Sequence, residues 1–120
     1  MDRIYIRDLA LRCIIGIFDF ERDNKQDVVI NVTLDCEPFT TAAASDRIED
    51  AVDYKSLTKQ IINFVEPSEF GLIETMADGI ANICLGHSDK VQRATVCVDK
   101  PGALRFARSV AVEVVRGRDT

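Results

Sequence analysis

Glycine-rich phosphate loops, dinucleotide fingerprints and G-x-S-x-G elbows are all missing from this chain of 120 residues. Their absence removes the common nucleotide-binding and serine-hydrolase designs. The chain holds one histidine and four cysteines, and these form no metal-ligand spacing, so no metal is expected. Cys13, Cys36, Cys84 and Cys97 stand singly in apolar segments. They read as buried thiols of a reducing cytoplasm, not as a disulfide set. No apolar run is long enough to cross a bilayer, and Met1-Asp2-Arg3-Ile4 lacks a signal-peptide pattern. A cytoplasmic location without a membrane partner is expected. Positive charge is scarce too: 15 Lys and Arg stand against 20 Asp and Glu, a net charge of −5. That balance argues against nucleic acid as a partner.

What is present is ordinary globular material, 47% hydrophobic and 29% charged. Residues 1–120 are expected to form a single domain with one modest core. Ile4 to Ile15 reads as a long strand, with Ile4, Ile6, Leu9 and Leu11 apolar. A mixed connector from Gly16 to Lys25 follows. Val28–Cys36 alternates cleanly, Ile30, Val32, Leu34 and Cys36 on one face and Asn31, Thr33 and Asp35 on the other. After small residues at Thr40–Ser45 the period becomes helical. Asp53 is a plausible N-cap for a helix carrying Leu57, Ile61, Phe64 and Val65, which Pro67-Ser68 ends. A second helix is expected from about Leu72 to Gly86, with Ile73, Met76, Ala77, Ile80 and Cys84 on its apolar face. Strands follow at Val91–Asp99 and Ser109–Arg116. The order ββααββ predicts an α+β fold: a four-stranded antiparallel sheet with two helices on one face. Its open edges need partners, so a homo-oligomer closing its sheets into a β-barrel is expected.

Lys100 stands out. Ala94, Val96 and Val98 share one side of the pleat, and Lys100 continues on that side before the Pro101-Gly102 turn. Such a lysine either escapes to solvent at the strand end or sits in a pocket. There, desolvation would lower its pKa from about 10.4 toward the range useful for proton transfer. Glu21 lies in the connector after Phe18 and Phe20, Tyr54 just before the first helix, and Glu74 in the first turn of the second. Each has a plain alternative: a solvated carboxylate, an edge tyrosine, a helix-start carboxylate. His87, at a helix end, reads as a dipole partner.

Taken together, Gly16-Ile17-Phe18-Asp19-Phe20-Glu21, Val52-Asp53-Tyr54, Leu72-Ile73-Glu74 and Lys100-Pro101-Gly102-Ala103 resemble, in order and spacing, the dihydroneopterin aldolase family. The likeness runs from Ile4 to Gly117. It implies the tunnelling fold, with tetramers or octamers holding active sites between subunits. It implies that Glu74 anchors a pterin, a carboxylate accepting two parallel N–H donors, with backbone groups near Val52 and Ile73 completing recognition. Lys100 and Glu21 would move protons, aided by Tyr54 of the neighbouring subunit. No cofactor is implied, since the C6=N5 imine of 7,8-dihydroneopterin serves as the electron sink for retro-aldol cleavage. Asn24–Thr33 and Ala103–Val110 look more like the sister branch, dihydroneopterin triphosphate 2′-epimerase, with Arg105 and Arg108 as candidate phosphate contacts. Phe18–Glu21 and Lys100–Ala103 lean toward aldolase, the branch favoured here. The remaining alternative is a non-enzymatic α+β interaction module.

Overall fold

A computed structural model of the chain describes residues 1–118. Its elements are β1 (Asp2–Ile15), α1 (Asp19–Arg22), β2 (Gln26–Cys36), α2 (Thr40–Ser45) and a 3-10 turn at Ile48–Asp50. Then come α3 (Tyr54–Val65), β3 (Glu69–Phe70), α4 (Ile73–His87), β4 (Val91–Pro101) and β5 (Ser109–Gly117). One sheet takes the order β3-β1-β2-β4-β5. It is antiparallel except where β3 runs parallel to Ile14–Ile15 of β1. The four expected strands are therefore five. A two-residue strand carries no alternation, so periodicity could not reveal it.

The apolar parity of β1 changes between Ile6 and Leu9 because the register slips there. A bulge places two residues opposite one, so both halves of the strand face the same core. Asp8 takes the left-handed conformation, φ 55°, a region that aspartate tolerates. Its N–H donates to Asn31 Oδ1 at 2.9 Å, and Asn31 Nδ2 donates to the Asp8 carboxylate at 3.3 Å. The short α2 is built on three alanines, good helix formers, and ends at Asp46 with φ 58°.

Leu57, Ile61 and Val65 of α3, with Met76, Ala77, Ile80 and Cys84 of α4, bury against Val28, Ile30, Val32 and Leu34 of β2 and Ala94, Val96 and Val98 of β4. Asp53 caps α3 by accepting from Ser56 N–H at 3.1 Å. Gly79 lets the two helices close. A Cβ there would stand 2.4 Å from the Phe64 ring. All four cysteines are free, and burial pushes the Cys84 thiol up to about 12, far from a usable thiolate. No helix among the described residues is long and apolar enough to cross a membrane.

The opposite face of the sheet carries no helix. Asp35 is buried there, held by Arg3 Nε and Arg93 Nε at 2.7 Å each. Burial opposes its ionisation, but the hydrogen bonds from Arg93 and Arg3 outweigh that and hold the carboxyl below its ordinary range. Because the folded carboxyl titrates lower than the unfolded one, its stabilisation is complete above about pH 3.9. It disappears as the pH falls through the folded value. Asp35→Asn is expected to lose about 1–3 kcal/mol at neutral pH. The gap from wild type should close in acid when urea midpoints are compared at one protein concentration. A pH-independent gap would show that the charged bridges contribute nothing.

Candidate active site

The connector after β1 is not a solvated loop at Glu21. Gly16 adopts φ +128°, and a Cβ on it would sit 2.2 Å from the Glu21 carboxyl carbon. Only glycine accepts both that backbone conformation and that approach. The chain then turns into α1, whose third residue, Glu21, reaches back over the helix start. Its Oε1 accepts from the N–H groups of Ile17 and Phe18, both at 3.2 Å, the carboxylate half of a capping box. Gln26 Nε2 adds a bond to Oε2 at 3.4 Å while also donating to Ile15 O at 2.7 Å. Glu21 is buried as a result.

Lys100 arrives from the other side of the sheet. It remains on the β4 ladder, opposite Val110, and its Nζ donates to Glu21 Oε2. Both side chains are largely buried, 13% and 10% exposed. Of the two sequence expectations for Lys100, the pocket holds. The Lys100 hydrogen bond, with bonds from Phe18 N–H and Gln26, keeps Glu21 below the usual carboxylate range despite its burial. Glu21 is thus an anion at neutral pH.

Lys100 opens on a cleft of about 240 Å³ that is also lined by Ile15, Leu72, Ile73, Glu74 and Ala103. Glu74 projects from the first turn of α4, exposed, while Ile73 beside it is buried. Lys100, Ile73 and Glu74 therefore line one cleft, and Glu21 is tied to it through Lys100. Among the described residues no three His, Cys, Asp or Glu side chains gather as metal ligands.

Val52 and Tyr54 do not converge with them. They line a second, larger groove of about 630 Å³ with Ile4, Phe39, Ala42 and Ile48. Tyr54 is 55% exposed and Val52 is buried. His87 at the end of α4 shares a 3.0 Å hydrogen bond with Asp53 O, which fixes Tyr54 at the end of α4 opposite Glu74. The thirteen residue steps from Glu74 to His87 span about 20 Å of helix. Within one chain Tyr54 stays out of the Lys100 cleft.

The matches to known proteins agree with this fold. Residues 4–115 match the family model described as FolB, dihydroneopterin aldolase. The chain belongs to the dihydroneopterin aldolase family. It is 43% identical to a dihydroneopterin triphosphate 2′-epimerase of Pseudomonas aeruginosa, over 98% of this chain and 94% of the relative. It is 34% identical to a dihydroneopterin aldolase of Haemophilus influenzae, over 98% of each chain. The Escherichia coli dihydroneopterin aldolase solved in complex with neopterin superposes with a TM-score of 0.92 at 28% identity, covering 98% of this chain and all of that one. The family is one of enzymes, which sets aside the non-enzymatic interaction module.

Sequence reasoning found the carboxylate and the lysine but missed their supports, Gly16, Gln26 and Arg22. A glycine directly after a long strand and before Glu21 was the available signal. Gly16→Ala combines a left-handed backbone with a collision on the Glu21 carboxyl, a cost of order 1–3 kcal/mol. It is expected to lower the unfolding midpoint and to raise the Glu21 pKa, read by carboxyl NMR, as the Lys100 contact loosens. Wild-type values for both would show that the close approach is dispensable.

Proposed function

We propose that this chain cleaves the C1′–C2′ bond of 7,8-dihydroneopterin, releasing glycolaldehyde and 6-hydroxymethyl-7,8-dihydropterin. The observation that carries the proposal is Lys100, bonded to Glu21, lining one cleft with Glu74. Glu74 accepts the 2-amino and N3–H donors of the pterin as a fork, with backbone groups beside Ile73, and near Val52 of a neighbouring copy, completing the ring contacts. The side chain of the substrate then points toward Lys100. Loss of the 2′-hydroxyl proton breaks C1′–C2′, and the electron pair moves into the C6=N5 imine. The resulting enamine takes a proton at C1′ to give the hydroxymethyl product. Lys100, with Glu21 as its anionic partner, moves these protons, and Tyr54 assists at the 2′-hydroxyl or C1′. No Schiff base is needed, so Lys100 acts as acid and base and not as a nucleophile. The neopterin held by the Escherichia coli relative supports a pterin as ligand.

The site requires a second copy. Tyr54 lies about a helix length from Glu74, so it serves the cleft of a neighbour. The edges of β1 over residues 2–13 and of β5 are paired on one side only. The radius of gyration, 15.5 Å, exceeds the roughly 14 Å of a compact chain this long. Ile17, Phe18, Phe20, Leu104 and Phe106 are all exposed near the cleft mouth or on the loop leaving it, an apolar surface suited to burial between subunits. A tetramer or octamer with edge-joined sheets accounts for all three.

The second reading is triphosphate 2′-epimerase, favoured by the higher identity to the Pseudomonas aeruginosa enzyme. It uses the same cleavage, after which the aldehyde re-adds on its other face and inverts C2′. Arg105 and Arg108 are exposed on the loop after Lys100, Arg105 lying over the Phe106 ring at 5.4 Å. They offer cations for phosphates.

Incubation with dihydroneopterin and with its triphosphate, followed by chromatography, separates the two. Glycolaldehyde release from dihydroneopterin should outpace turnover of the triphosphate. Efficient inversion of the triphosphate without hydroxymethyl product would establish the epimerase instead. Lys100→Ala should lower turnover about 10²–10⁴-fold, and mass spectrometry after borohydride should find no Lys100 adduct. Glu74→Gln puts an NH₂ where the ring needs an acceptor and should weaken neopterin binding by roughly 1–3 kcal/mol. A dissociation constant within about twofold of wild type, only some 0.4 kcal/mol, would remove Glu74 from the site. Co-assembly of Lys100→Ala with Tyr54→Phe chains should regain about a quarter of wild-type activity if partners share each site. Recovery of none would show that Tyr54 does not act across an interface.

A further inference from the structure

Arg22 is the last residue of α1 and follows Glu21 directly. Its guanidinium donates from Nη1 to Gly16 O at 3.0 Å and to Phe70 O at 3.2 Å, and from Nη2 to Glu69 O at 2.7 Å. The first of these carbonyls belongs to the turn that cradles the Glu21 carboxyl. The other two form β3, which the chain leaves through Gly71 and Leu72 to reach Ile73 and Glu74. The two segments also share a backbone bond, Gly16 N–H to Phe70 O at 3.1 Å. Above them the Ile17 side chain lies against Gly71, where a Cβ would meet it at 2.8 Å.

We propose that Arg22 is a positioning residue that sets the placement of the Glu21–Lys100 pair relative to Glu74. The inference rests on the functional reading above for its catalytic consequence, but its geometry stands apart from it. A planar fork with several fixed donors joins carbonyls of two separate segments at once, which a compact ammonium on a flexible stem does poorly. The α1 helix has four residues and too few backbone bonds to hold itself in register. Glu21 is fixed by its own bonds to Ile17, Phe18 and Gln26, and α1 as a unit is fixed to β3 by Arg22. Without that clamp only the short β1–β3 pairing, the Gly16–Phe70 backbone bond and the Ile17–Gly71 contact couple α1 to the segment that leads to Glu74. Arg22 touches no carboxylate in this arrangement, so its charge is spent on carbonyls rather than on neutralising Glu21.

Arg22→Met tests this with three readouts: kcat and KM with dihydroneopterin, the dissociation constant for neopterin, and the Glu21 pKa by carboxyl NMR. The expected result is a fall in kcat of about 10- to 100-fold with neopterin binding nearly unchanged. The Glu21 pKa should rise toward the ordinary carboxylate range, carrying the acid limb of the pH–rate profile with it. Wild-type kcat together with a wild-type Glu21 pKa overturns the proposal. So does a lowered melting temperature alone, which would make Arg22 a brace without influence on the site. If Arg22→Met does not fold, Arg22→Lys carries the same readouts with a smaller effect. Should the wild-type enzyme turn over no pterin, the functional reading fails, and the Glu21 pKa still decides the role of Arg22.

Discussion

The bond between Lys100 and Glu21 joins residues 79 positions apart, and the cleft depends on it. A buried lysine or a buried glutamate alone would carry a large desolvation penalty. Here each solves the other's problem, and the surroundings supply the remaining hydrogen bonds. Gly16 yields the space, Ile17 and Phe18 give their N–H groups, and Gln26 closes the set. The core strand β4 places Lys100 by simple alternation after Ala94, Val96 and Val98, three side chains without solvent exposure. A stable hydrophobic core and an ionic site thus lie on one strand face, separated by a single pleat.

Much of this was legible in the sequence because it follows from period. The alternation in β2 and β4, the helical stripes of α3 and α4, the Asp53 cap and the inward course of Lys100 all follow from residue spacing. Three features did not follow. The bulge at Arg7-Asp8 shows in the sequence only as a change of apolar parity, whose meaning requires the partner strand. The strand β3 has two residues and no pattern to detect. The burial of Glu21 depends on a backbone angle at Gly16 and on a lysine far along the chain, neither of which local propensity encodes. Arg22 was invisible for a related reason, since its partners are carbonyls, and every residue carries one.

The open sheet face follows a different logic from the core. Asp35 is enclosed by two arginines on neighbouring strands, with Thr33, Thr95 and Glu113 around it. Arg3 and Arg93 are each about half exposed in the single chain. A sheet whose second face were to pack on another core would place apolar side chains here. This one keeps mostly ions and hydroxyls, with Val115 the one aliphatic side chain among them, a composition compatible with contact to water.

The separation of Tyr54 from Glu74 makes assembly and catalysis one problem. A helix of 15 residues stands between the two ends of the chain that carry functional groups. No loop motion of a few ångströms bridges a distance of about 20 Å along a rigid helix. In the proposed assembly, selection on such a site would act on the sheet edges as much as on the cleft, because the contact that closes the barrel would also bring the tyrosine to the lysine. The chemistry tolerates this division. In the proposed cleavage the substrate's own imine would accept the electron pair, so the protein would need no covalent intermediate and no metal held to tight tolerance. It needs a ring anchor, a proton-transfer pair and one further hydroxyl. Lys100 and Glu74 share a cleft in each chain, and in the proposed reading the third would be delivered across an interface by a neighbour.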